Sequence, residues 1–104
     1  MRKADTKSKS LAIHVTIIED DATIRDGFAY LINEKEGYEV VSTYPSIEQA
    51  VKTIVADEPD VILLDIELPG LSGIDALPKL KQLLPSVYII MLTVYEDADM
   101  IIKA

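Results

Sequence analysis

The 104-residue chain is 49% apolar and 27% charged, with no cysteine and no tryptophan. That balance fits one compact domain and excludes a disordered polymer, disulfides, thiolate zinc sites and a cysteine nucleophile. The formal charge is −8, and residues 11–104 hold 17 acids against six bases, which disfavours direct nucleic-acid contact and favours cations, basic surfaces or simple solubility.

Residues 1–10, MRKADTKSKS, are polar without apolar periodicity and read as a disordered leader before a domain over 11–104. No secretory signal follows this basic start. Apolar runs such as Val61 to Leu64 are only a few residues long, against about 20 for a membrane helix. The expected location is therefore the cytosol, with no membrane contact.

From Leu11 onward, short aliphatic runs alternate with helical periodicity. Ile13 to Ile18 (IHVTII) predicts a strand buried on both faces, and Asp21 to Lys35 a helix with Ile24, Phe28, Leu31 and Ile32 on one side and Gly37 as its stop. Tyr38 to Thr43 predicts a second strand. Ser46 to Ala56 predicts a second helix with Ile47, Ala50, Val51, Ile54 and Val55 on one face, and Ser46 and Gln49 at capping-box spacing. Val61 to Leu64 is a third strand, followed by the turn-rich stretch Leu68 to Gly73 and a helix bearing Ile74, Leu77, Leu80 and Leu83. Pro78 falls inside that helix and bends the chain unless the helix begins late. Val87 to Leu92 is a fourth strand, and Glu96 to Ala104 opens a fourth helix, with Glu96 and Asp97 suited to its N-terminus. The βαβαβαβα order predicts an α/β fold, a doubly wound parallel sheet with helices on both faces.

In such sheets ligands bind beyond the carboxyl ends of the strands. Strand one ends in Glu19-Asp20-Asp21, strand three in Asp65 with Glu67 two residues on, strand four in Thr93, and strand two in uncharged Ser42 and Thr43. If strands one and three are neighbours, Glu19, Asp20 and Asp65 meet at one sheet edge. Clustered carboxylates either raise a pKa or recruit a cation. An oxygen-only set without His or Cys points to Mg²⁺ or Mn²⁺ rather than zinc, and an Asp beside such a metal can attack phosphorus. Asp21 reads as a helix cap, Glu67 as either an exposed acid or a site member, His14 as a half-buried strand residue, and Tyr95 as a surface aromatic near the site.

These stretches resemble one family, the receiver domains of two-component response regulators. IIEDDATIR resembles its first-strand acidic signature, VILLDIELPGLSGIDAL its phosphoacceptor strand and loop, and VYIIMLT its strand ending in a hydroxyl residue. The likeness runs from about Leu11 to the last residue and implies the flavodoxin-like strand order 2-1-3-4-5. It implies that Asp65 accepts a phosphoryl group from a sensor histidine kinase. It also implies that Asp20 binds Mg²⁺ directly, Glu19 through water, and Glu67 through its backbone carbonyl, with the Glu67 side chain facing the phosphoryl pocket. On the same likeness Thr93 matches the residue that hydrogen-bonds the phosphoryl group and moves inward as the switch, and Pro69 and Gly73 shape the loop. On this likeness the domain is a phosphoacceptor that assists its own phosphorylation and dephosphorylation, not a turnover enzyme. LPGLSGIDALPKLKQLLP and MLTVYEDADMIIKA most resemble regulators with a helix-turn-helix DNA-binding output domain, which lies outside this chain.

Family receivers continue into a fifth strand ending in a phosphoryl-pairing Lys, and Lys103 lies too early to be that residue. The sequence therefore predicts a receiver fold lacking its last strand and helix, with strand four as an open edge and the faces of strands one and three uncovered. Such an edge favours a homodimer or exchange of elements between copies. Two other readings compete. One is a receiver-like interaction module that is never phosphorylated. The other is a Mg²⁺-dependent phosphohydrolase using Asp65 and Glu67, disfavoured because such enzymes carry their nucleophile on the first strand.

Overall fold

The computed structural model describes residues 11–68, 70 and 72–92. The leader, Pro69, Thr93, Tyr95, Lys103 and the fourth helix expected from Glu96 lie outside the described residues. In chain order the elements are β1 (Ile13–Ile18), α1 (Ala22–Asn33), β2 (Tyr38–Tyr44), α2 (Ile47–Asp57), β3 (Val61–Asp65), α3 (Gly73–Leu83) and β4 (Tyr88–Leu92). The strands form one parallel sheet in the order β2-β1-β3-β4. No helix among the described residues is long and apolar enough to cross a membrane.

Local chemistry explains where the helices start. Asp21, Ser46 and Ser72 each have extended backbone and a side chain that accepts the N–H three residues on, which satisfies a donor that the first helical turn leaves unpaired. Helix α2 ends at Glu58 in the left-handed region, φ 52°, where its N–H bonds the Val55 carbonyl.

Ile18, Ile62 and Leu64 pack with Ile47, Ala50 and Ile54 of α2 and Ala76 and Leu80 of α3 in one buried cluster, so α2 and α3 share a sheet face. Helix α1 contacts β1 and β2, and strand alternation turns Val15 and Ile17 to the face opposite that cluster. On that second face the register aligns Val15 with Val61 and Tyr88, and Ile17 with Leu63 and Ile90. Val15 and Ile17 are buried, whereas Tyr88 is 75% and Ile90 50% exposed. The openness expected for strands one and three is thus missing at Val15 and Ile17 of β1, partial on β3, where Val61 and Leu63 are half-buried, and greatest on β4.

The expected helix faces were drawn slightly too wide. Val55, Leu31 and Ile74 are exposed. At about 100° per residue Val55 lies about 80° around α2 from Ile47, beyond the arc that the sheet covers. His14 is buried rather than half-buried, with Nε2 3.6 Å from Glu39 Oε1. At the other end of β2, the Tyr44 hydroxyl bonds Thr53 at 2.7 Å and donates to the Asp57 carboxylate, tying β2 to α2. Burial and that carboxylate push the phenol up from its ordinary value.

Helix α3 does not begin late: it runs from Gly73 with Pro78 inside it. Pro78 is exposed, so water can reach the Ile74 carbonyl that the missing N–H leaves without its helical donor. Pro78→Ala restores that donor and removes the ring clash. It is expected to raise stability by about 1 kcal/mol or more, read as a higher urea midpoint at unchanged slope.

Candidate functional site

The strand register builds the site. Ile18 pairs with Leu64 across β1 and β3, so the next residues, Glu19 and Asp65, emerge side by side at the carboxyl end of the sheet. Asp65 in turn pairs with Leu92, and the Ile66 N–H bonds the Leu92 carbonyl at 3.1 Å. Glu19, Asp20 and Asp65 each offer a carboxylate oxygen, and these atoms lie within 4.8 Å of one another. The three acids expected to meet are therefore brought together. Glu19 is 2% and Asp65 7% exposed, whereas Asp20 faces solvent.

Each carboxylate is held differently. Asp65 Oδ1 accepts the Glu67 N–H at 2.9 Å, a tight turn that orients the carboxylate as the chain leaves β3. Glu19 Oε2 accepts the Asp21 N–H at 3.0 Å, while Glu19 Oε1 is buried without a hydrogen-bond partner among the described residues. Burial pushes the Glu19 carboxyl from 4.5 up to about 7; the Asp21 N–H opposes this, and the neighbouring Asp20 and Asp65 carboxylates add to it. Like charges at this spacing cannot all ionise without a counter-charge.

The cluster fits a hard cation. It offers oxygen donors only, one buried oxygen is unsatisfied, and one side opens to water through Asp20. Mg²⁺ takes one or two carboxylates and keeps waters. Unpaired buried carboxylate oxygens are otherwise costly.

Glu67 is exposed, and its side chain does not join the cluster; its contribution among the described atoms is the N–H on Asp65. Thr93 lies outside the described residues. Asp21 is the cap of α1, its Oδ1 accepting the Ile24 N–H at 3.1 Å. Gly73, expected to shape the loop, packs the start of α3 directly on the backbone of Asp65. One contact is not evident from the acid pattern: Arg25 Nη1 donates to the Glu19 carbonyl at 2.8 Å. The signal available in the sequence is that Arg25 is the only arginine after Arg2. A cavity of about 360 Å³ lies at the other end of the sheet, lined by Val55, Glu58, Pro59 and Leu84 among others. It contains none of the clustered acids.

Comparison with known proteins places this geometry. Residues 15–104 match the family model for the response regulator receiver domain. The oxygen regulatory protein NreC of Staphylococcus haemolyticus is 34% identical over 86 residues, 82% of this chain and 40% of that protein. The transcriptional regulatory protein LnrK of Bacillus subtilis is 32% identical over 92 residues, 88% of this chain and 42% of that protein. The chain thus spans about two-fifths of the length of these relatives. Among solved structures, the response regulator domain of Thermotoga maritima CheB superposes with TM-score 0.73 at 30% identity, over 86% of this chain and 69% of that one. A DNA-binding response regulator of the LuxR family from Staphylococcus aureus gives 0.70 at 26%, over 88% and 77%. A parallel sheet in the order β2-β1-β3-β4, with acids gathered where β1 and β3 end, is thus found on a chain that belongs to the receiver-domain family of two-component response regulators.

Proposed function

We propose that Asp65 is the phosphoacceptor of this receiver and that Glu19, Asp20 and Asp65, with the Glu67 backbone carbonyl, hold Mg²⁺. The observation that carries this reading is the buried Glu19 Oε1, without a hydrogen-bond partner among the described residues, inside a cluster of three carboxylates. Bound there, the cation neutralises charge on the transferring phosphoryl oxygens. Asp65 sits at the strand end with Oδ1 already oriented by the Glu67 N–H, so its carboxylate meets the donor without reorganising. A carboxylate oxygen of Asp65 forms the new O–P bond as the P–N bond of a kinase phosphohistidine breaks, and the imidazole nitrogen recovers a proton from water. Thr93 receives the phosphoryl group by hydrogen bonding. The added charge then biases the surface near it between two arrangements.

The partners on this reading are a sensor histidine kinase and a DNA-binding output domain in the longer protein. The DNA-binding and transcriptional regulators among its relatives support the second. The acidic body supports the absence of direct nucleic-acid contact by this domain. The location is cytoplasmic.

The test is fluorine NMR with Mg²⁺ and beryllofluoride, an aspartyl-phosphate mimic. A bound signal is expected for the wild type and complete loss for Asp65→Asn. Mg²⁺ uptake without any beryllofluoride signal would favour an interaction module that is never phosphorylated.

A further inference from the structure

We infer that Arg25 is a positioning residue for the cation site, acting through the peptide that joins Glu19 to Asp20. The inference rests on the proposed reading of the acidic cluster. Asp20 is the exposed member of that cluster, and the side-chain contact it makes there is with the equally acidic Glu19 carboxyl. It is also the member most easily driven away, because Glu19 and Asp65 repel it and water competes for it. Its place therefore depends on its backbone.

That backbone is pinned from both sides of Glu19. The Glu19 N–H bonds the Tyr44 carbonyl at 3.0 Å, extending the β1–β2 pairing by one residue, and the Glu19 carbonyl accepts Arg25 Nη1 at 2.8 Å. A peptide unit is planar, so fixing the Glu19 carbonyl also fixes the nitrogen and Cα of Asp20, and the Asp21 N–H held by Glu19 Oε2 at 3.0 Å anchors the chain beyond that Cα, which together set the direction of Cβ. Arg25 reaches that carbonyl because Asp21 starts the helix: Asp21 Oδ1 caps the Ile24 N–H, and the Asp21 carbonyl takes the Arg25 N–H at 2.9 Å. Arg25 is half-buried, and a planar fork loses less freedom per bond than an ammonium. Strand, cap and arginine form one closed loop that aims Asp20.

A charge effect and a latch effect differ in sign. Removing a cation near three carboxylates strengthens their attraction for Mg²⁺, whereas releasing the latch weakens binding by freeing Asp20. Arg25→Met removes both charge and donors. Calorimetric titration with Mg²⁺ alone is expected to show affinity at least about tenfold weaker than wild type, the scale of losing an outer partner of a metal ligand. Arg25→Lys keeps the charge and one donor and is expected to bind within about threefold of wild type. Equal or tighter binding by Arg25→Met overturns the inference. A wild type that takes up no Mg²⁺ overturns instead the reading of the cluster on which it rests. If Arg25→Met does not fold, the wild-type guanidinium resonances decide. They are expected to shift as Mg²⁺ binds, and resonances that stay fixed through saturation overturn the inference.

Discussion

Gly73→Ala is expected to destabilise the domain by about 2–3 kcal/mol and to abolish beryllofluoride binding. A Cβ on Gly73 falls 2.4 Å from the Asp65 carbonyl oxygen, 3.0 Å from Ile66 Cα and 3.2 Å from the Asp65 carbonyl carbon. All three are backbone atoms of the segment that carries the site, so no side chain can swing aside. Either the first turn of α3 lifts from the sheet, exposing Ala76 and Leu80, which lie in the buried cluster, or the Asp65 peptide moves and takes its carboxylate with it. The helix propensity that Ala gains over Gly is at most about 1 kcal/mol and does not offset that displacement. Gly27 is the control. It lies within α1 with nothing within 4 Å of an added Cβ, and Gly27→Ala is expected to stabilise by about 0.5–1 kcal/mol. Urea unfolding of the two variants checks the opposite signs; a Gly73→Ala protein as stable as wild type with beryllofluoride bound would refute the close-packing argument.

The site was legible in the sequence because strand ends carry it. Buried parallel strands read as aliphatic runs, and the residue that ends each run can be named without coordinates. Glu19, Asp20 and Asp65 were found that way, and the register then brings them together. What was not legible depends on third partners. The exposure of Val55, Leu31 and Ile74 is set by how much of each helix the sheet covers, which periodicity overstates by a residue at the edge. Pro78 inside α3 contradicts local preference and is tolerated because it faces water. The bond from Arg25 to the Glu19 carbonyl joins a side chain to a backbone atom, and no residue-type pattern encodes the orientation of a carbonyl. The order β2-β1-β3-β4 came from family likeness, since alternation of elements leaves several strand orders open.

In EDTA the Glu19 contribution to stability is expected to fall as pH rises from about 4.5 to about 7, by about 3 kcal/mol across the window. Between these values the folded protein keeps the Glu19 proton and the unfolded chain has lost it. The native state therefore binds more protons, and its advantage shrinks with each unit of pH until the folded carboxyl also ionises. Other acids titrate in the same range, so the readout is the difference between wild type and Glu19→Gln. Gln stays neutral and can donate to an adjacent carboxylate, which gives the variant the larger stability at pH 8 while at pH 4.5 the two lie close together. Mg²⁺ reverses the order. It binds the ionised cluster and adds stability that grows with its concentration over the dissociation constant, an increment that Glu19→Gln is expected largely to lose. Parallel pH curves for wild type and Glu19→Gln in EDTA would mean that Glu19 is solvated or paired in solution. A crossing induced by Mg²⁺ would mean that the instability of three unpaired acids is the same free energy that the cation recovers on binding.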